Sequence, residues 1–213
     1  RLRERLRKHE IARRSAAAAA PRAAEGDAYV SALGARAFGV ARGDTALVII
    51  DLQNDYVDAD GPVLRHYSAA AAGRMRAALE RSGRLLRAAR AAGLTVAHSR
   101  SFRNGTSVSP ERVGDAADRG YQIAPEVAPV AGEIVVDKWT YGAFASTDLE
   151  RELRARGVER VLLCGCLTNV CVAATAREAV DRYFRVCVVD DACGAVDARP
   201  HDAAPELMSA PQR

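Results

Sequence analysis

No hydrophobic run in this 213-residue chain approaches the ~20 residues that cross a bilayer, so no membrane span is expected. The Ala-rich stretch 15–20 is too short for a signal-peptide core and lies downstream of a basic segment. Neither G-x-G-x-x-G nor G-x-x-x-x-G-K-[ST] occurs, which removes the usual phosphate-cradling loops. The five cysteines are odd in number, irregularly spaced and mostly in apolar contexts. They do not describe a disulfide framework and fit a reduced, cytoplasmic compartment. Cys164-x-Cys166 has no second cysteine pair or histidine nearby at zinc-like spacing, so no metal and no other cofactor is expected. No internal repeat is apparent.

The basic balance is narrower than the overall +4 suggests. Residues 1–14 carry seven Arg or Lys against two Glu, a net of +5, which leaves the remaining 199 residues at −1. A nucleic-acid partner needs a basic face on the folded body, and this body carries no basic excess. Residues 1–43 read as an Ala/Arg-rich leader, partly helical or flexible, in which Leu2 and Leu6 offer an amphipathic turn. The leader begins without Met, so a longer natural product is expected.

From residue 44 to 213 a single domain is expected. The apolar run 46–50 predicts a strand buried on both faces. A helix over 69–92, stopped by Gly93, and a strand over 94–98 follow. Residues 99–132, rich in Gly, Pro, Ser and Asp, predict an active-site lid or wall. A strand over 134–136 comes next. Thr147-Asp148-Leu149-Glu150 reads as a capping box opening a helix that turns Leu149 and Leu153 inward and stops near Gly157. A strand over 161–164, a helix over 170–182, a strand over 186–189 and a helix around 203–209 complete the pattern. This alternation predicts an α/β, three-layer Rossmann-like fold, a mostly parallel sheet with helices on both faces.

Three reactive side chains fall at carboxyl ends of these strands, where open parallel sheets bind ligands: Asp51, Lys138 and, after the fourth strand, Cys171. At a helix entry Cys171 is expected to feel the positive end of the helix dipole, which favours the thiolate. A thiol attacking an amide carbonyl needs a base for its proton and an acid for the leaving nitrogen; Asp51 can serve as both. Lys138 can hold the carboxylate ionised, and N–H groups of the 165–171 turn can meet an oxyanion. Each residue also has a plainer reading: Cys171 as a small buried apolar group, Asp51 as a turn residue, Lys138 as a solvated charge, His98 as a core or rim histidine. Their joint placement favours one site.

These residues resemble the isochorismatase-like cysteine hydrolase superfamily. ALVIIDLQNDYV (46–57) is similar to its first strand, EIVVDKWTYGAFASTDLERELRARGVERVLLCGCLTNVCVAATAREAVDR (133–182) to its lysine segment and nucleophile turn, and VCVVDDACGA (186–195) to the strand that follows. The resemblance implies a triad of Asp51, Lys138 and Cys171. It also implies a cis peptide at Cys166–Leu167, with the N–H groups of Leu167 and Cys171 as the oxyanion hole. Asn54, Tyr56, Trp139 and Tyr141 map to the substrate pocket. Arg100 and Arg103, placed after the second strand, are candidates to anchor a substrate carboxylate. Homodimers or homotetramers are implied.

Departures narrow the expectation. Members that cleave the vinyl ether of isochorismate commonly lack the cysteine, so Cys171 favours amide hydrolysis. The nicotinamidase branch carries D-x-H-x-x-H after the second strand, whereas this chain reads His98-Ser99-Arg100-Ser101-Phe102-Arg103. Where many relatives have Gly after Asp-Arg, Tyr183 and Phe184 stand here, which is expected to alter a helix end and an interface. The expected function is hydrolysis of a C–N bond in a small amide or ureide through a cysteine thioester. The alternatives are a larger cyclic or conjugated amide of secondary metabolism, and a non-catalytic binding protein on the same fold.

Overall fold

The computed structural model describes residues 38–58, 61, 64–102, 118–199 and 201. Most of the leader, Arg103, the middle of the 99–132 excursion and the helix expected around 203–209 lie outside the described residues. Among those residues no helix is long and apolar enough to cross a membrane.

The apolar runs become strands β1 (Thr45–Ile50), β2 (Thr95–Ser101), β3 (Ile134–Lys138), β4 (Arg160–Cys166) and β5 (Arg185–Gly194). They form one sheet in the order β3-β2-β1-β4-β5, and every pairing is parallel. All six residues of β1 are buried, as a central strand covered on both faces must be. β3, at an edge, alternates between buried and more exposed residues.

The helices are α1 (Asn54–Val57), α2 (Ala69–Ala91), α3 (Leu149–Ala155) and α4 (Ala173–Asp181). One sheet face packs Ala46, Val48 and Ile50 with Leu149 and Leu153 of α3 and Ala176 and Ala179 of α4. The opposite face carries α2, whose Ser82 hydroxyl donates to the Ala192 carbonyl of β5 at 3.0 Å. Ser68 caps α2 by accepting from the Ala71 N–H, and Gly93 leaves it at φ +67°. The three-layer α/β architecture therefore holds, with a sheet that is wholly parallel.

Several boundaries differ from the pattern reading. β2 runs to Ser101 and β3 to Lys138, because Ser99, Arg100 and Ser101 pair with Val136, Asp137 and Lys138. The polar Ser-Arg-Ser run reads as loop, but tertiary pairing makes it strand. β5 extends to Gly194, past a register shift against β4 between Leu163 and Gly165. The capping box at Thr147 is half formed. Its hydroxyl accepts from the Leu149 N–H at 3.1 Å, while Glu150 lies 3.3 Å from Arg182 instead of returning to the Thr147 amide. The helix predicted over 170–182 splits into a π-helical turn, Thr168–Val172, and α4. Beyond α4, Tyr183 takes a left-handed conformation, φ 64°, where glycine carries no steric penalty.

Candidate active site

β1 and β4 are the neighbours at which the strand order reverses, the crevice where parallel sheets bind ligands. Two backbone features shape it. Gly165 sits at φ +117°, and a Cβ there would lie 2.1 Å from the Ile50 carbonyl oxygen, so only glycine lets β4 approach β1. Asp51 follows β1 at φ 51°, a left-handed turn that Asp tolerates better than most residues. Its main-chain N–H donates to the Ser99 carbonyl at 3.2 Å, and its carbonyl accepts from Gln53 N–H at 2.8 Å and the Cys166 thiol at 3.1 Å. The Cys166–Leu167 peptide bond is cis.

The sheet brings Asp51, Lys138 and Cys171 together. Lys138 is fully buried at the end of the edge strand, and its amine reaches back across β2. Its Nζ lies 2.7 Å from Asp51 Oδ2 and 3.5 Å from Cys171 Sγ, and it donates to the Thr140 carbonyl at 3.0 Å. Three acceptors around one ammonium match its three donors. Burial alone would lower the Lys138 pKa, but the Asp51 carboxylate and the Cys171 sulfur outweigh it and the pKa is raised.

Cys171 is the half-buried member, inside the π-helical turn rather than at its first residue. Burial pushes its thiol up to about 12, the Asp51 charge pushes the same way, and Lys138 opposes both. Desolvation and the neighbouring carboxylate therefore act against the helix-end dipole that is expected to favour the thiolate.

Ser99 is the residue that sequence reasoning missed. Its hydroxyl donates to Asp51 Oδ1 at 2.6 Å, and both side chains are buried. The signal was strand alternation: once β2 extends to Ser101, Ser99 registers with Ile50, one residue before Asp51. Gln53 is a second. Its amide donates to the Tyr121 carbonyl at 2.9 Å and accepts from the Ser101 N–H at 2.7 Å, tying residues around 121 to the strand ends. Thr175 is a third, donating to the Cys171 carbonyl at 2.7 Å and accepting from the Ala143 N–H at 3.1 Å.

The remaining candidates divide. Asn54 is buried and donates to the Arg119 carbonyl at 2.7 Å, so its amide fastens a loop. Tyr56 is half-buried on α1. Trp139 and Tyr141 follow Lys138 and are 56% and 41% exposed; the Trp139 ring tilts against Phe102, which stacks on Tyr121 at 4.9 Å. Leu167 precedes the π-helical turn that carries Cys171, and its carbonyl accepts from Val170 and Val172 N–H groups. Arg100 is corrected as a carboxylate anchor. It makes a two-pronged ion pair with Asp137, at 2.7 and 2.9 Å. Strand alternation turns both away from the face that Ser99 and Lys138 share. His98 likewise faces away from the Asp51, Lys138 and Cys171 side chains, 3.0 Å from Glu133, which also pairs with Arg90. Burial lowers the His98 pKa despite that partner. Among the described residues no group of three or more His, Cys, Asp or Glu side chains is arranged to hold a metal ion.

Residues 45–212 match the Isochorismatase domain family. The chain is 30% identical over 197 residues to the ureidoacrylate amidohydrolase RutB of Azorhizobium caulinodans, covering 79% of this chain and 81% of that one. It is 32% identical over 160 residues to the uncharacterized isochorismatase family protein YecD of Escherichia coli O157:H7, covering 74% and 84%. In three dimensions it is similar to N-carbamoylsarcosine amidase from Thermoplasma acidophilum, with a TM-score of 0.64, 27% identity, and 78% and 92% of the two chains covered. A parallel sheet of this order, with these relatives matched over most of their length, makes the chain a member of the isochorismatase family of hydrolases.

Proposed function

We propose that the chain is a cysteine-dependent amidohydrolase that releases ammonia or an amine from a small amide or ureide. The observation that carries this reading is one fully buried ammonium, Lys138, placed 2.7 Å from a carboxylate and 3.5 Å from a thiol at the sheet's ligand-binding edge. The names of two relatives, a ureidoacrylate amidohydrolase and an N-carbamoylsarcosine amidase, support the substrate class.

The chemistry follows from the charges. Asp51 takes the Cys171 proton as sulfur attacks the carbonyl carbon, so the thiolate need not accumulate in the resting enzyme. The pair Asp51–Lys138 begins as carboxylate and ammonium. During attack the carboxyl becomes neutral while negative charge passes through sulfur to the carbonyl oxygen. Leu167 and Cys171 N–H groups serve as donors to that oxygen. Asp51 then returns the proton to the departing nitrogen, leaving a thioester. In the second half it draws a proton from water, whose oxygen attacks the acyl carbon. The sulfur leaves, recovers the proton from Asp51, and the acid is released.

Exposed Trp139 and Tyr141 beside Lys138 favour a second reading within the same chemistry, a larger planar or conjugated amide. Ammonia or amine release is to be measured on a panel of ureides, aliphatic amides and aromatic amides, with the natural protein beside Cys171→Ala. Turnover that disappears in the variant supports the proposal, and the preferred class decides between the readings. Turnover that survives removes Cys171 as nucleophile.

A further inference from the structure

We infer that His201 is a positioning residue for the nucleophile turn, acting through Thr168; this rests on Cys171 being the nucleophile. Thr168 is fully buried and opens the π-helical turn that carries Cys171. Its hydroxyl shares a 2.8 Å hydrogen bond with Nδ1 of half-buried His201. His201 lies in the segment after β5, which the α2 side holds independently: Arg74 Nε donates to the Ala195 carbonyl at 3.2 Å and its Nη2 to the Val196 carbonyl at 2.5 Å. A strap anchored on α2 thus ends on the first residue of the turn.

The turn has reason to need such a fastening. A π-helical turn is wider than an α-turn and uncommon, and functional sites are where such turns concentrate. Here the Leu167 carbonyl accepts from Val170 and Val172 N–H groups, so the main chain at Leu167 closes the loop on which Cys171 is set. Thr175 holds the far side through the Cys171 carbonyl. His201 holds the near side. Losing it leaves a buried hydroxyl without its partner and lets residue 168 shift, which re-aims both the sulfur and the neighbouring N–H groups.

The test uses the full chain with His201→Ala, His201→Asn and His201→Gln. Asn places a polar atom near the Nδ1 position, whereas Gln places one near Nε2. Two readouts are followed: turnover on the best substrate of the panel, and the second-order rate of Cys171 carbamidomethylation measured by mass spectrometry. His201→Ala and His201→Gln are expected to lower kcat about 10- to 100-fold with little change in KM, and to change the alkylation rate. His201→Asn is expected to recover most of both. In a Thr168→Val background, His201→Ala is expected to add nothing, which keeps the test open if the single Ala variant folds poorly. Natural kcat and alkylation in His201→Ala overturn the inference, as does an Asn variant no better than Ala. Alkylation needs no substrate, so a silent amide panel tells against the proposed reaction while His201 is still judged.

Discussion

Gly165 stands against the backbone of Ile50 so closely that an added Cβ would lie 2.1 Å from the Ile50 carbonyl oxygen and 2.7 Å from its nitrogen. That approach lets β4 reach Cys166 beside Asp51 and start the turn that carries Cys171 where it does. Gly165→Ala must either part β1 from β4 or push the turn outward, and the left-handed φ adds to the strain. The expected result is a protein destabilised by more than about 4 kcal/mol, seen as insolubility or a collapsed thermal midpoint. A soluble, active Gly165→Ala protein with a natural midpoint contradicts the close packing described.

Lys138→Met leaves the Asp51 carboxylate buried without its counter-ion. Removing one member of a buried pair costs about 3–5 kcal/mol, so the variant is expected to lose stability as well as turnover. Pairing it with Asp51→Asn removes the orphaned charge. Chemical denaturation of the double variant is expected to show most of the stability restored, while the ammonia assay stays silent. If the double variant is no more stable than Lys138→Met, the ion pair is not the reason for the loss.

Ser99→Ala removes the donor to Asp51 Oδ1 and nothing else of size. We expect a folded protein, a stability loss of about 1–3 kcal/mol, and kcat reduced about tenfold with KM nearly unchanged. Ser99→Thr, which keeps a hydroxyl, is the matched control. An Ala variant with unaltered kcat would show that Asp51 is held well enough by Lys138 alone.

The Cys171 thiol, pushed up to about 12 by burial and by Asp51, sets the pH dependence of its reaction with a simple alkylating agent. A raised pKa keeps the proton on sulfur through neutral pH. Carbamidomethylation of the free enzyme should therefore keep rising from about pH 6 to about pH 10 instead of levelling off near 9. Lys138→Met should shift that curve upward still further, because the ammonium is the one neighbour opposing the increase. A plateau near neutrality means the resting enzyme already holds a thiolate.

Asp51, Lys138 and Cys171 were legible because apolar runs end close to each of them, and a parallel sheet gathers strand ends at one edge. Ser99 and Arg100 were not. A polar Ser-Arg-Ser run carries no strand signal of its own, so the sequence pattern ends β2 at His98. With that boundary too early, the alternation separating Ser99 from Arg100 was hidden. Arg100 looked available for substrate when Asp137, on the neighbouring strand, holds it. The surroundings of Cys171 are a different case: helix-end position can be read from a pattern, but the burial that pushes its thiol up depends on what the other strands bring. The three-layer parallel architecture needed only periodicity and was read correctly.

Lys138 belongs to the edge strand β3, while Asp51 and Cys171 belong to the centre of the sheet and its far side. An edge strand therefore supplies the ammonium, and edge strands are where local opening costs least. Each fraying of β3 from β2 removes the counter-charge from a buried carboxylate and interrupts the constellation while the rest of the fold stays closed. The fraction of molecules competent for chemistry is then tied to hydrogen-exchange protection at the end of β3, so catalysis can fade on warming before the protein unfolds.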